Sequence, residues 1–326
     1  MKRLLYIVFI CGLLTACASD DMEALLSDRI SSMETVATVG YGLPSSGGRL
    51  TFAYDEQGRL KKVNDKVFYY GTDGKVAYSR VFLESPHPHG KAVYMERLSY
   101  HWDERGRLKE VYLDSLYKKT PAIPGGISIG DSENLLEDIL LSTYTYEGIN
   151  RKPSTVVYRP LTRSESNIIA IKAEERIDYR YSGENPSSSL LMGIMDASIS
   201  PISHEGRRFQ LTTVNTYLPN IHPLARLYKQ LGFHPTDLAG VIPLNCVSTI
   251  QREIETEDVG ETEFTPPEGG GINWIDAGQE EILVDTEFGS FEGKATYSYR
   301  FNVLELPTEI VGEGNGIMQR TVITYE

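Results

Sequence analysis

Gly126-Ile127-Ser128-Ile129-Gly130 has the Gly-x-Ser-x-Gly spacing of a serine-hydrolase nucleophile elbow. That elbow works because a strained strand-to-helix turn lifts the hydroxyl above a parallel sheet. Pro121 and Pro124 stand where the buried strand would run, and no strand-helix alternation surrounds the motif, so it reads as a loop between strands. His87-Pro88-His89 presents two imidazoles, but a structural zinc needs further Cys or His ligands, and no Cys lies nearby. His101, His204, His222 and His234 are too dispersed to suggest a triad. Glu253, Glu255 and Glu257 alternate with Ile254 and Thr256, which puts three carboxylates on one strand face. Calcium takes about six to eight oxygens, so one ladder of Glu does not suffice, and a solvated face is expected. No metal and no cofactor is expected. Trp102, beside a repeated turn, and Trp274, after the loop Pro266-Pro267-Glu268-Gly269-Gly270-Gly271, are the candidate platforms on which a sugar ring would stack.

The cysteine with the clearest chemistry is Cys17. Lys2 and Arg3 precede an apolar run over residues 4–14, and Leu14-Thr15-Ala16-Cys17 closes it. A basic start, an apolar stretch too short to span a bilayer and a small-residue cleavage site mark an export signal, and the cysteine behind them supplies the thiol that is diacylated. The sequence therefore predicts a lipoprotein signal peptide over residues 1–16 and lipidation at Cys17, with the membrane as a partner met through the lipid. One acyl chain holds only marginally, at about 0.8 kcal/mol per buried methylene, whereas several on one cysteine anchor durably. Cys11 falls in the discarded signal, so Cys246 is the one thiol left, and an intrachain disulfide is excluded. Flanked by Asn245 and Val247 without a readable base, Cys246 is expected to be a small buried hydrophobe.

Removing residues 1–16 takes two basic and no acidic residues, leaving 30 Lys and Arg against 45 Asp and Glu, a net charge of −15. Repulsion from phosphate argues against nucleic acid as a partner.

The elements that must position these residues are strands. Phe52-Ala53-Tyr54-Asp55-Glu56-Gln57-Gly58-Arg59-Leu60-Lys61-Lys62-Val63 is echoed by Tyr100-His101-Trp102-Asp103-Glu104-Arg105-Gly106-Arg107-Leu108-Lys109-Glu110-Val111, and Tyr70-Gly71-Thr72-Asp73-Gly74-Lys75-Val76 is a shorter variant. Each reads as a hairpin: an aromatic ends one strand, Asp bonds its own turn, Gly supplies a positive φ, and a basic-aliphatic pair opens the return strand. Because each tight turn reverses the chain, these turns share one rim while Asn64-Asp65-Lys66 and residues 85–90 belong to the other. Further strand-like runs cover 140–146, 155–161, 168–181, 208–217, 247–257, 281–288, 294–303 and 318–325. The 20 tyrosines suit pleated, half-buried surfaces. Residues 221–231 break the pattern: Leu224, Leu227, Tyr228 and Leu231 share a helical face, with Pro223 suited to a first helical position. The expected fold is all-β, an antiparallel up-and-down meander forming a barrel or strongly curved sheet, with a short α-helical insertion near 221–244 that caps or plugs it. The domains expected are a lipidated tether over 17–46 and one β domain over 47–326.

The Tyr-Asp-x-x-Gly-Arg-Leu units resemble the YD repeats of the rearrangement-hotspot family. The chain as a whole resembles Bacteroidetes lipoproteins with a domain of unknown function described as porin-like in fold. That likeness rests on the lipobox, the early hairpins, the insertion at 220–244, and the ending that runs from Tyr297-Ser298-Tyr299-Arg300 through Leu306-Pro307-Thr308-Glu309-Ile310 to Thr321-Val322-Ile323-Thr324-Tyr325. It implies an outer-membrane home and transfers no catalytic residue. Ser19-Asp20-Asp21 is similar to the acidic signal that sends such proteins to the cell surface.

A membrane-spanning wall does not follow from the likeness. Spanning strands need an unbroken apolar outward face over about 9 to 11 residues, and Arg59-Leu60-Lys61-Lys62, Met95-Glu96-Arg97 and 253–257 put charge on both faces. The function expected is that of a lipid-anchored, surface-exposed, non-catalytic protein binding a glycan or an envelope protein. A polysaccharide- or ester-acting hydrolase, with Ser128 and the acidic strand faces as handles, and a structural subunit of an envelope assembly are the open alternatives.

Overall fold

A computed structural model describes residues 28–39, 43–87, 90–119, 132–159, 161–163, 169–171, 174–195, 207–258, 293–314 and 316–326. The strands are β1 (Ile30–Val39), β2 (Leu43–Tyr54), β3 (Leu60–Val63), β4 (Lys66–Tyr70), β5 (Val76–His87), β6 (Gly90–Trp102), β7 (Leu108–Lys119), β8 (Ser132–Thr145) and β9 (Thr155–Tyr158). They continue with β10 (Leu161–Arg163), β11 (Ile169–Ile171), β12 (Glu175–Ser182), β13 (Asn185–Met195), β14 (Arg207–Ile221), β15 (Asn245–Asp258), β16 (Gly293–Phe301), β17 (Pro307–Gly314) and β18 (Ile317–Tyr325). Helix α1 (Ala225–Leu231) interrupts the run between β14 and β15. Sixteen strands close into an antiparallel meander barrel, β18 pairing with β1, while β10 and β11 form a separate hairpin.

The two rims differ. Short turns at 55–59, 71–75, 103–107, 183–184 and 302–306 share one rim with both ends of the described chain, where Glu326 N–H donates to Arg29 O at 2.9 Å. The other rim carries the long connections between β7 and β8, β13 and β14, and β15 and β16, together with the β10–β11 hairpin. This is the rim assignment that turn parity predicts.

The repeated hairpins show why the repeat exists, because each repeated residue has the same task in both copies. Asp55 accepts from Gln57 N, Arg59 N and Arg59 Nε, and Asp103 accepts from Arg105 N, Arg107 N and Arg107 Nε. Gly58 and Gly106 sit at φ 73° and 74°, a region closed to most side chains. A Cβ on either would also lie 2.4 Å from a cation reaching over it, Arg29 Nη2 in one copy and Lys75 Nζ in the other. Leu60 and Leu108 then turn inward and are fully buried.

Side-chain alternation sorts the wall into two faces. Leu50, Phe52, Tyr94, Leu98, Leu113, Ile250, Ile310 and Ile323 are buried in the lumen. Outward positions carry Arg80, Arg97, Arg176, Glu253, Lys294 and Arg320. The polarity is the reverse of a membrane-spanning barrel, whose band of outward residues is apolar.

Two expectations are corrected. The stretch expected to be a tether over 17–46 contains all of β1 and the start of β2. It reads as polar because one inward position of β1, Thr35, is satisfied by a 2.9 Å hydroxyl pair with Thr321 and not by apolar bulk. The helix begins at Ala225, not 221, because His222 N–H is engaged by Leu244 O at 2.8 Å and the neutral ring of His222 takes the Leu224 N–H at 3.2 Å. Strand β13 and strand β17 are absent from the sequence-derived set, while the expected run at 281–288 lies outside the described residues.

Candidate functional site

At the turn rim every strand running down toward the turns ends in an aromatic side chain that latches onto the start of the preceding hairpin. Tyr54 donates to Ile30 O, Tyr70 to Leu60 O, Trp102 Nε1 to Val76 O and Tyr146 to Leu108 O. Tyr181 donates to Pro153 O, Tyr217 to Pro186 O, Tyr299 to Val247 O and Tyr325 to Pro307 O. All eight bonds measure 2.5 to 3.0 Å. Cations lie over four of the rings, three from the neighbouring turn and one from the residue before β1: Arg59 over Tyr70 at 4.2 Å, Lys75 over Trp102 at 5.5 Å, Arg107 over Tyr146 at 4.4 Å and Arg29 over Tyr54 at 5.7 Å. Burial pushes the Tyr54 and Tyr70 hydroxyls up to about 12, so they remain neutral donors at physiological pH.

The insertion between β14 and β15 folds into the lumen behind this ring. Helix α1 buries Leu227, Tyr228 and Leu231 and ends at Gly232, whose left-handed φ of 79° lets its N–H reach Tyr228 O at 2.7 Å. Phe233 follows, 1% exposed, stacked on Tyr100 with centroids 4.6 Å apart and tilted against Phe68 and Trp102. On one side Gln230 exchanges bonds with Leu60 N and Gly58 O. On the other, Tyr144 donates to Leu238 O, Tyr179 to Ala239 O at 2.7 Å, and Lys152 Nζ to Ile242 O at 3.1 Å and to Glu184 O. The insertion is thus tied to β2–β3, β8 and β12 and fills the lumen at the turn rim, as a plug. Burial lowers His222 to about 3 and Lys152 to about 8, and also holds His234 down. Both imidazoles serve as neutral acceptors of backbone N–H groups in the plug's own turns, His222 from Leu224 and His234 from Thr236 and Asp237.

Between the turn rim and the far rim a few inward positions are polar. Glu96 on β6, Arg252 on β15 and Gln319 on β18 are buried, as are Thr35 and Thr321, which pair through their hydroxyls. Sequence reasoning missed these residues, because each is a single polar residue in an otherwise ordinary strand pattern.

The sequence candidates fare differently. Trp102 is half-buried, its N–H is bonded, Lys75 lies over its ring, and a Cβ on Gly232 would come within 2.9 Å of it. A sugar stacking there would have to displace the plug or the lysine, so the ring works as one of the eight latches. Cys246 is buried with its thiol pushed up to about 12 by burial and donating to Ile221 O, the setting of an inert hydrophobe. Glu253 and Glu255 face solvent on β15. Among the described residues no group of three or more His, Cys, Asp or Glu is placed to hold a metal. Cys17, Ser128, His89 and Trp274 lie outside the described residues.

No family model matches the chain, and no curated protein is recognisably similar to it. Among solved structures it is similar to a porin-like protein from Bacteroides uniformis, at 11% identity and a TM-score of 0.26, over 91% of this chain and 98% of that one.

Proposed function

We propose that this chain is a non-catalytic, lipid-anchored barrel of the outer membrane, held by acylated Cys17, that binds an extracellular glycan or an envelope protein. The observation that carries the reading is the polarity of the wall. An Arg or Lys facing lipid at the bilayer midplane costs about 2–4 kcal/mol, and Arg80, Arg97, Arg176, Lys294 and Arg320 are distributed around this exterior. With an apolar plug across the lumen, neither surface suits a water-filled channel, and attachment falls to the lipid signal. Both ends of the described chain sit at the turn rim. Residues 18–27 reach at most about 35 Å when extended, so an anchor at Cys17 turns that rim toward the membrane and the long loops away from it.

Metabolic labelling with a fatty acid, followed by alkaline carbonate extraction of membranes, tests the anchor. The protein is expected to incorporate label and stay in the pellet, and Cys17→Ser to be unlabelled and released. A Cys17→Ser protein that stays in the carbonate pellet overturns the reading.

A further inference from the structure

We propose that the sector of the turn rim carrying Ile149, Ile221 and Val303 beds into the surface of the lipid bilayer that holds the Cys17 acyl chains, so that the barrel stands on these turns with their apolar side chains among the lipids. The inference rests on the lipid-anchored reading above and adds the surface through which the folded domain itself meets the membrane.

Among the described residues three large apolar side chains are more than half exposed, Ile149 at 87%, Val303 at 83% and Ile221 at 54%, and all three lie on the turn rim. Ile149 tops the β8–β9 turn and Val303 the β16–β17 turn, while Ile221 ends β14 next to the exposed Leu244 that precedes β15. Turn chemistry does not ask for them. In the turn at 302–306, Asn302 N–H donates to Leu306 O and Glu305 N–H to Asn302 O, both at 3.0 Å, the Asn302 side chain accepts from Leu304 N and Leu306 N, and Glu305 takes a φ of 58°. The turns at 55–59 and 103–107 make the same bonds, with Gly58 and Gly106 at the positive φ. Val303-Leu304 therefore stands on the same backbone where those turns carry Glu56-Gln57 and Glu104-Arg105. Polar pairs build this turn twice, so an apolar pair at its solvated tip points to a partner outside the chain. Ile149 is also held in place, because Arg105 Nη1 donates to Gly148 O at 2.7 Å and Arg107 Nη1 to Gly148 O at 3.0 Å and to Asn150 O at 3.2 Å.

The distribution of the tips selects the partner. Val303, Ile221 and Ile149 span the half of the barrel that runs from β17 to β8, with Gly183-Glu184 as the short turn between the last two. On the other half the turns after β2, β4 and β6 present Glu56-Gln57, Thr72-Asp73 and Glu104-Arg105. Set several strands apart, the apolar tips form no continuous patch of the kind a protein partner covers, whereas a flat, fluid surface meets separated tips on one rim together. The chain enters the barrel at β1, two strands from β17. Residues 18–27 reach at most about 35 Å, and a short flexible linker gives an effective concentration of about millimolar. Insertion of a few side chains, too weak to bind from solution, is thus populated once Cys17 is acylated.

Cys246 is buried and its thiol is bonded, so a cysteine placed at an exposed position of the acylated protein reacts alone with a thiol-directed dye. The test puts an environment-sensitive dye at Asn150→Cys beside Ile149, at Thr72→Cys on the other half of the rim and at Met318→Cys on β18, in the acylated full-length protein reconstituted into phosphatidylcholine liposomes with and without spin-labelled lipid. The dye at 150 is expected to lose more than half its emission to the spin label, and those at 72 and 318 to lose little. Val303→Asp combined with Ile221→Asp, both at exposed positions, is expected to cut the quenching at 150 several-fold. The inference is overturned if the dye at 150 is quenched no more than that at 318, or if a blue shift at 150 is indifferent to the spin label, which would mean that a protein covers the tips. It is also overturned if the quenching survives Val303→Asp with Ile221→Asp, which would mean that the tether alone sets the distance. In all three cases Cys17 still carries its fatty acid; absence of that label overturns the anchored reading itself, and this inference with it.

Discussion

The ring of aromatic latches makes a quantitative prediction. Replacing one ring tyrosine by phenylalanine removes a single oxygen and leaves the packing of the ring in place, so the loss is the hydrogen bond alone. A neutral intramolecular bond contributes about 0.5–1.5 kcal/mol net, and a carbonyl left unpaired in a half-buried position lies toward the upper end. Tyr54→Phe and Tyr181→Phe should each cost about 1 kcal/mol. β2 and β12 stand eight strands apart in a barrel of sixteen, so the two sites share no partner and the double variant should lose their sum, about 2 kcal/mol. Urea unfolding at neutral pH reads this as a lowered midpoint at an unchanged slope. Singles within about 0.3 kcal/mol of the parent, or a double departing from the sum by more than about 0.5 kcal/mol, would refute the idea that the ring holds the rim through independent bonds.

The same ring sets an alkaline limit. Burial raises the Tyr54 and Tyr70 hydroxyls to about 12 and those of Tyr146, Tyr181, Tyr299 and Tyr325 further. The folded state therefore holds protons that the unfolded chain releases near pH 10, so stability is full below that value and falls as pH rises through the folded range. Each Tyr→Phe change should flatten the fall in a urea-midpoint series across that window. At the acid end the sign reverses. Burial works upward on the Asp103 carboxyl, but its bonds from Arg107 and Arg105 outweigh this and hold it below the usual range. Its contribution is present above about pH 4 and lost as pH falls through the folded value, so Asp103→Asn should be destabilised at pH 7 and indistinguishable from the parent at about pH 2. Phe233→Ala, which empties the space between Tyr100, Phe68 and Trp102, should cost about 3–5 kcal/mol and raise Trp102 solvent exposure, read by acrylamide quenching. A Phe233→Ala protein as stable as its parent would mean that the plug is not packed against the wall.

Part of this architecture was legible in the sequence. Where the aromatic directly precedes an Asp-x-x-Gly turn, as at Tyr54 and Trp102, the hairpin announces itself, and alternation plus turn parity lead to a meander with all such turns on one rim. The equivalence of the other latches was hidden because their spacing to the turn varies. Tyr299 stands three residues before Asn302, whose side chain takes the role of Asp by accepting from Leu304 N and Leu306 N. Tyr217 stands before the 222–244 insertion and not before a turn at all. The Trp102 reading as a sugar platform misled for a related reason: an indole beside a turn looks exposed until the plug, distant in sequence, is laid against it.

The pairing of β1 with β18 joins residues such as Thr35 and Thr321, 286 positions apart. Until the last nine residues have been delivered, every earlier hairpin can form but the first strand has no second neighbour, and the growing meander presents two unpaired edges at once. Closing so long a loop is entropically slow, and folding rates fall steeply with such non-local pairing. The chain is therefore at its most adhesive in the interval before closure, when the edges of β1 and of its unfinished neighbour are both open to other strands. Loss of β18 alone, by a nonsense codon near residue 317, would leave not a slightly shortened barrel but a permanently open sheet, the form a quality-control protease is best suited to remove.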